Sequence, residues 1–254
     1  MRKSKALEKI RRGACARVCA MGHYLPFFVR YAAQFKYDAI WLDLEHRAMD
    51  SREVQSLLAM CHQWDIDCMV RTPTLERTNL YRFFEDGAAA LMVPFVSTGD
   101  IARHVVKSVK FPPMGNRGID GAGLDAQFGT DAWCPDTTYT DDANRETYIV
   151  AQIETPEALD NLDEIAGTNG IDVLFVGPAD LGLRLGPDGD LDGAIESVAA
   201  AAAKHGKAWG LPAGTAELLT KYRKMGAQYL VHGGDFGLMK VLEDGSAALD
   251  ATVE

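Results

Sequence analysis

No run of about eighteen apolar residues occurs among the 254 residues of the chain, so a membrane-spanning helix is not expected. The basic opening segment, MRKSKALEKIRRG, has no apolar stretch that would make it a signal peptide. Positive charge is in the minority: 26 Lys and Arg stand against 36 Asp and Glu, a net charge of −10. That balance argues against nucleic acid or an anionic membrane as partner. It leaves room for small anions, because a bound cation or a local arginine inverts the field around itself. Cysteine is scarce and its count odd, with Cys15, Cys19, Cys61, Cys68 and Cys134. Most lie in apolar segments, and the Cys15/Cys19 pair meets no second Cys or His pair that would complete a zinc site. A reduced, cytoplasmic protein with free thiols is expected.

Reactive signatures are missing too. There is no G-x-G-x-x-G turn, no P-loop, no G-x-S-x-G elbow and no Cys beside an evident base. The lysines are terminal, helical or in loops, and Lys207 begins its strand rather than ending it. A Schiff-base lysine at a strand end is therefore not expected.

What the chain does have is alternation. Short apolar runs at Cys15–Met21, Ala39–Leu44, Asp67–Arg71, Ala90–Val93, Tyr148–Ile153, Asp172–Val176, Lys207–Leu211 and Gln228–Val231 are separated by segments with helical periodicity. Asp50 is a good N-cap for one helix, and the last helix begins near Asp235. Eight strands with helices between them favour a single-domain (β/α)8 TIM barrel spanning residues 1–254. An open doubly wound sheet is the runner-up, weakened by the absence of a Gly-rich turn after the first strand. Alternation fails once, over about residues 111–140, a long loop rich in Gly, Pro and Asp.

The organising stretch is Tyr148–Asp180. Two apolar strands there each deliver a carboxylate at or just past their ends, Glu154 and Asp180. Parallel neighbours would present both at one edge of the sheet, and hard oxygens at that spacing suit Mg²⁺ or Mn²⁺. Either acid alone could equally be a helix N-terminal carboxylate favoured by the dipole. Other polar residues recur at strand ends. Asp43 and His46 close the second strand, Arg71 the third and Gln152 the fifth. A lone loop histidine is more often structural, but Asp43 three residues earlier could orient the His46 ring for acid–base work. Asp43 is expected to face the barrel interior and Glu45 the helices, unless the strand has ended. Arg71 could clamp a carboxylate or serve in an ordinary ion pair. Gln152 could donate to a carbonyl oxygen or be a core amide. The turn Gly177-Pro178-Ala179 offers backbone N–H groups to a carboxylate, or simply joins strand to helix.

Assembled in order, these residues resemble the HpcH/HpaI aldolase family, metal-dependent pyruvate aldolases related to citrate lyase. The matching motifs are Asp43-Leu44-Glu45-His46, Val70-Arg71, Asp86-Gly87-Ala88, Met92-Val93-Pro94, Phe111-Pro112-Pro113 through Arg117-Gly118, Gln152-Ile153-Glu154-Thr155 and Gly177-Pro178-Ala179-Asp180-Leu181. They run over nearly the whole chain. The resemblance implies a divalent cation (Mg²⁺, Mn²⁺ or Co²⁺) on Glu154 and Asp180, and His46 supported by Asp43 as acid–base residue. It implies Arg71 and Gln152 on the pyruvate moiety, Asp86 joining the catalytic set, and Leu211 lining the substrate cleft. It further implies a homo-oligomer, trimeric or hexameric, with the last helix exchanged between subunits. The expected reaction is reversible cleavage of a 4-hydroxy-2-oxo acid to pyruvate and an aldehyde. Rivals using the same site are an acyl-CoA ester lyase of the malyl- or citryl-CoA kind and a 2-oxo diacid decarboxylase. A non-catalytic metabolite-binding barrel is a third. Gly182 after Gly177–Leu181 and Phe35–Asp38 before the second strand depart from the family's usual residues.

Overall fold

A computed structural model describes residues 1–253. Eight parallel strands close into a barrel in sequence order: β1 (Ala16–Met21), β2 (Ala39–Asp43), β3 (Asp67–Arg71), β4 (Ala90–Val93), β5 (Tyr148–Ile153), β6 (Val173–Val176), β7 (Ala208–Pro212) and β8 (Tyr229–Gly234). The (β/α)8 expectation holds and the open sheet is excluded. Helices α2 (Pro26–Gln34), α3 (Ser51–Gln63), α4 (Arg77–Glu85) and α5 (Gly99–Val109) follow the first four strands. Asp50 caps α3 in a full capping box, accepting from Arg52 and Glu53 N–H while the Glu53 carboxylate accepts from the Asp50 N–H.

Strand parity sorts the core into two shells. Val18, Ala39, Met69, Met92, Val150, Phe175 and Tyr229 fill the barrel interior, while the alternate residues, such as Ile40, Val70, Leu91, Ile149 and Leu174, pack against the helices. The interior aromatics meet edge to face, with ring centroids 5.6 Å apart for Trp41–Phe175 and 6.3 Å for Phe175–Tyr229.

The floor of the barrel is sealed by α1 (Lys5–Arg11), whose Ala6 and Leu7 belong to the interior cluster. Buried Asp67 at the start of β3 holds this plug, accepting from Ser4 Oγ at 2.6 Å, Ala6 N at 2.9 Å and Arg2 Nη2 at 2.5 Å. The 111–140 segment is not featureless. It contains a short 3-10 turn (Leu124–Gly129) and leads into α6 (Tyr139–Glu146). A buried cluster pins it, in which Asp125 Oδ2 accepts from Arg117 Nη2 at 2.8 Å and from Tyr139 Oη at 2.7 Å. The helix after β5 is broken at Asn161 into α7 (Pro156–Asp160) and α8 (Leu162–Gly167). The Asn161 amide donates to the carbonyls of Ser97 and Glu157 there.

Helix α9 (Pro178–Leu185) starts on the turn after β6, α10 (Leu191–Lys204) follows it, and α11 (Ala216–Lys224) joins β7 to β8. The last helix, α12 (Gly237–Val253), stands apart. Leu238, Val241, Leu242 and Leu249 lie on one face of it at helical spacing, and all are exposed. Among the described residues no helix is long and apolar enough to cross a membrane, and all five cysteines are free.

Candidate active site

The C-terminal ends of the strands form the barrel mouth, and β2 and β3 supply its first charged group. Asp43 and Arg71 are register partners. Arg71 Nε and Nη2 donate to the two Asp43 carboxylate oxygens at 2.9 and 2.7 Å, a two-pronged pair with its guanidinium 4.8 Å from the centroid of the Trp41 ring. Burial would raise the Asp43 carboxyl, but the Arg71 hydrogen bonds and charge outweigh it and hold the group below its usual value.

β2 ends at Asp43, and Glu45 follows two residues on, with the same parity. Glu45 turns toward the same arginine, its Oε2 lying 3.2 Å from Arg71 Nη1. The expectation that Glu45 faces the helices is corrected: residues two apart along a strand share a face, so Glu45 has the inward parity of Trp41 and Asp43. Burial raises the Glu45 carboxyl against the lowering influence of Arg71 and His46, while Asp43 and Asp180 add to the rise. The His46 ring is exposed, and its Nε2 is 3.6 Å from Glu45 Oε2. Asp43 does not hold that ring. Its Oδ1 accepts instead from the backbone N–H of Glu45 at 3.1 Å and of His46 at 3.4 Å, fixing the loop that carries the imidazole.

β5 supplies Gln152 and Glu154, both buried. Glu154 Oε1 accepts from the Phe95 N–H at 2.8 Å, and Oε2 from Gln152 Nε2 at 2.6 Å. No cationic side chain pairs with it among the described residues. Burial, followed by the nearby charges of Glu45 and Asp180, pushes the Glu154 carboxyl up to about 7, despite the Phe95 N–H and Arg71. Phe95 was invisible as a site residue because it acts through its backbone. It follows Pro94 at the end of β4 and has φ 52°, which aims its N–H at Glu154. Gly177 is required here for space: a Cβ would sit 2.6 Å from Glu154 Oε2 and 2.9 Å from Gln152 Nε2.

Asp180 lies in the first turn of α9 and is half-exposed, its Oδ1 2.6 Å from Arg184 Nη1. The Arg184 guanidinium in turn lies 4.9 Å from the Phe95 ring centroid. Two further expected residues lie elsewhere. Leu211 is fully buried in the shell between barrel and helices, because it has the outward parity of β7; its neighbour Pro212 carries the inward one. The expectation that Leu211 lines the cleft is therefore corrected by one residue. Asp86 caps the end of α4 on the outer wall and accepts from Gln55 Nε2 of α3 at 2.8 Å. It borders a cavity of about 410 Å³ between α3 and α4 that is also lined by Asn79 and Arg82 and reaches Arg47 and Thr74 in the loops after β2 and β3. Ala179 is exposed and Pro178 half-buried at the start of α9.

The donor set suits a hard divalent cation. Glu45 and Asp180 raise the proton affinity of Glu154, and Asp180 that of Glu45, so negative charge here is under-compensated. Buried Gln152 Oε1 has no hydrogen-bond partner. Among the described residues no group of three or more His, Cys, Asp or Glu side chains is gathered as a ready-made metal cage. A cation held by one or two carboxylates, with its remaining positions left to water and substrate, is the arrangement Mg²⁺ favours.

Residues 24–240 match the family model described as HpcH/HpaI aldolase/citrate lyase. A 5-keto-4-deoxy-D-glucarate aldolase of Klebsiella pneumoniae subsp. pneumoniae is 34% identical over 227 residues, 87% of this chain and 86% of that protein. A HpcH/HpaI aldolase/citrate lyase family protein from Burkholderia cenocepacia superposes with a TM-score of 0.87 at 29% identity, covering 99% of this chain and 100% of that one. A HpcH/HpaI aldolase from Desulfitobacterium hafniense gives a TM-score of 0.86 at 27% identity over 96% of each chain.

Proposed function

This chain belongs to the HpcH/HpaI aldolase/citrate lyase family, and its aldolase relatives make it a carbon–carbon lyase; from that premise we propose that it cleaves a 4-hydroxy-2-oxo acid to pyruvate and an aldehyde, and that cleavage depends on a divalent cation held by Glu154 and Asp180. The observation that carries this reading is Glu154, a buried carboxylate with a pKa near 7 and no cationic partner among the described residues. A group in that state is stabilised by a cation and costs the fold free energy without one. Mg²⁺, Mn²⁺ and Co²⁺ are the candidates. When bound, the cation supplies Lewis-acid stabilisation of the charge that develops on the 2-oxo oxygen.

The side chains account for the remaining steps. Arg71, fixed by Asp43 and Glu45, faces the carboxylate and 2-oxo group of the substrate, and Gln152 completes the polar wall. His46 takes the proton of the 4-hydroxyl. The C3–C4 bond then breaks, its electron pair remains on C3, and the aldehyde leaves. Return of a proton to C3 gives pyruvate. Because these dipoles are set before substrate arrives, little reorganisation is needed as charge builds. The compound named for the Klebsiella relative, 5-keto-4-deoxy-D-glucarate, is the first substrate to test. The outward apolar face of α12 supports assembly into a trimer or hexamer in which this helix packs on a neighbouring copy.

The deciding experiment is exchange of the pyruvate methyl protons in D₂O, followed by NMR with Mg²⁺, Mn²⁺, Co²⁺ or a chelator. Exchange that requires the cation is expected. Exchange that survives exhaustive chelation would remove the metal from the mechanism, and no exchange with any cation would remove the pyruvate half of the reading.

A further inference from the structure

We propose that Arg47, flanked by His23 and Phe236, forms a second carboxylate-binding subsite at the barrel mouth, holding the end of the substrate remote from its 2-oxo acid. The naming of that ligand rests on the aldolase reading. The residues come from three adjacent strand ends: His23 follows β1, Arg47 follows β2 and Phe236 follows β8. In a closed ring of eight, β1 and β2 stand across the mouth from β5 and β6, which carry Glu154 and Asp180. A substrate whose 2-oxo acid sits at Glu154 and Arg71 extends its far end toward this side.

Arg47 is the part of the cluster that selects charge. It has no carboxylate partner among the described residues, unlike Arg71 and Arg184 at the same mouth. Its Nη1 donates to the His46 carbonyl at 2.7 Å, and its guanidinium lies 5.2 Å from the Phe236 ring centroid. Those contacts orient the fork while leaving N–H donors free for an anion. Gly22 makes room for it, since a Cβ there would come within 3.1 Å of Arg47 Cγ and Nε.

The wall beside Arg47 is built rather than fortuitous. Asp235 is buried, and its Oδ2 accepts from Gly22 N at 2.9 Å, His23 N at 3.0 Å and the His23 ring Nδ1 at 2.7 Å. This one carboxylate ties the end of β8 to the end of β1 and leaves His23 Nε2 on an exposed ring. The His23 and Phe236 rings meet edge to face at 5.8 Å. An aldehyde fragment bearing a carboxylate therefore meets a positively charged, partly aromatic wall. An uncharged aldehyde gains nothing from Arg47.

The test compares two stable 2-oxo acids that differ in whether the far end is charged, 2-oxoadipate and 2-oxohexanoate. Binding is measured by calorimetry on the full-length, Mg²⁺-loaded protein. The wild type is expected to prefer 2-oxoadipate by about tenfold or more, the usual worth of a charged hydrogen bond. Arg47→Met keeps the stem and should bring the ratio near one, and Arg47→Lys should restore part of it. Thermal melts establish that each variant is folded, and Arg47→Gln replaces the Met variant if that one is not. A wild type without preference, or a preference that persists in Arg47→Met, overturns the subsite. If neither ligand binds, the subsite falls as well, and pyruvate exchange in the same preparation shows the cause. Absent exchange means that the aldolase reading has failed, while intact exchange confines the failure to the remote end.

Discussion

The two ends of the barrel treat buried charge in opposite ways. At the floor, Asp67 is fully buried and is met by a cation, a hydroxyl and a backbone N–H. Nearby, buried Lys110 donates to the carbonyls of Asn144 and Thr147 and to Thr147 Oγ1, although burial still pushes it down to about 8. At the mouth, Glu154 is as deeply buried but is met only by two neutral donors and faces two other acids. The floor spends its ion pairs on closure, while the mouth keeps charge uncompensated until a ligand arrives. Asp67 shows that burial alone does not mark a site and Lys110 that a missing ion pair does not either; Glu154 combines both with two further acids at the strand ends.

Substitutions at the two ends should separate stability from chemistry. Asp67→Ala strips the floor of its acceptor, leaving Ser4 Oγ and the Ala6 N–H unmet and the Arg2 guanidinium with Asp65 alone. It should cost about 3–5 kcal/mol in urea unfolding, with turnover per folded molecule unchanged. Glu154→Gln is the mirror image. It should lower kcat/KM about a thousandfold, or about 4 kcal/mol in transition-state binding. The same change should stabilise the metal-free protein by about 1–3 kcal/mol at pH 8. The sign follows from a folded pKa near 7 against an unfolded value of 4.5. The fold binds the proton more tightly, so the wild type loses stability as pH rises from 4.5 through 7. The advantage of Gln should therefore be full at pH 8 and gone near pH 4.5; thermal melts in chelator that show equal gains at both would break the argument. The smallest effect is expected of Gly177→Ala, whose methyl would press on Glu154 and Gln152. It should cost about 1–2 kcal/mol of stability and weaken cation binding measured by calorimetry more than it weakens folding.

Much of this architecture is legible in the sequence. The strands announce themselves as apolar runs closed by Pro or a charged residue, and Asp43, Arg71, Gln152 and Glu154 stand where such runs end. Two failures share a cause, which is a misjudged side of the strand. Glu45 lies two residues beyond inward-facing Asp43 and therefore on its side, not the helix side, and Leu211 has the outward parity while its neighbour Pro212 has the inward one. The plug formed by α1 reads only as a basic leader, since its function depends on Ala6 and Leu7 entering a barrel closed by residues far along the chain. Asp125, which pins the long loop from within, looks like one more acid in an acidic segment.

The left-handed turn at Phe95 has a consequence for how this chain can vary. Its contribution to Glu154 is a peptide N–H, which every residue except proline possesses. What the position demands is a backbone angle, not a side chain. Drift among homologous sequences should then be filtered by conformation, with Asn and Gly accepted and the β-branched residues Val and Ile refused. The aromatic ring that packs on Arg184 is free to change, while the hydrogen bond it accompanies is inherited unaltered.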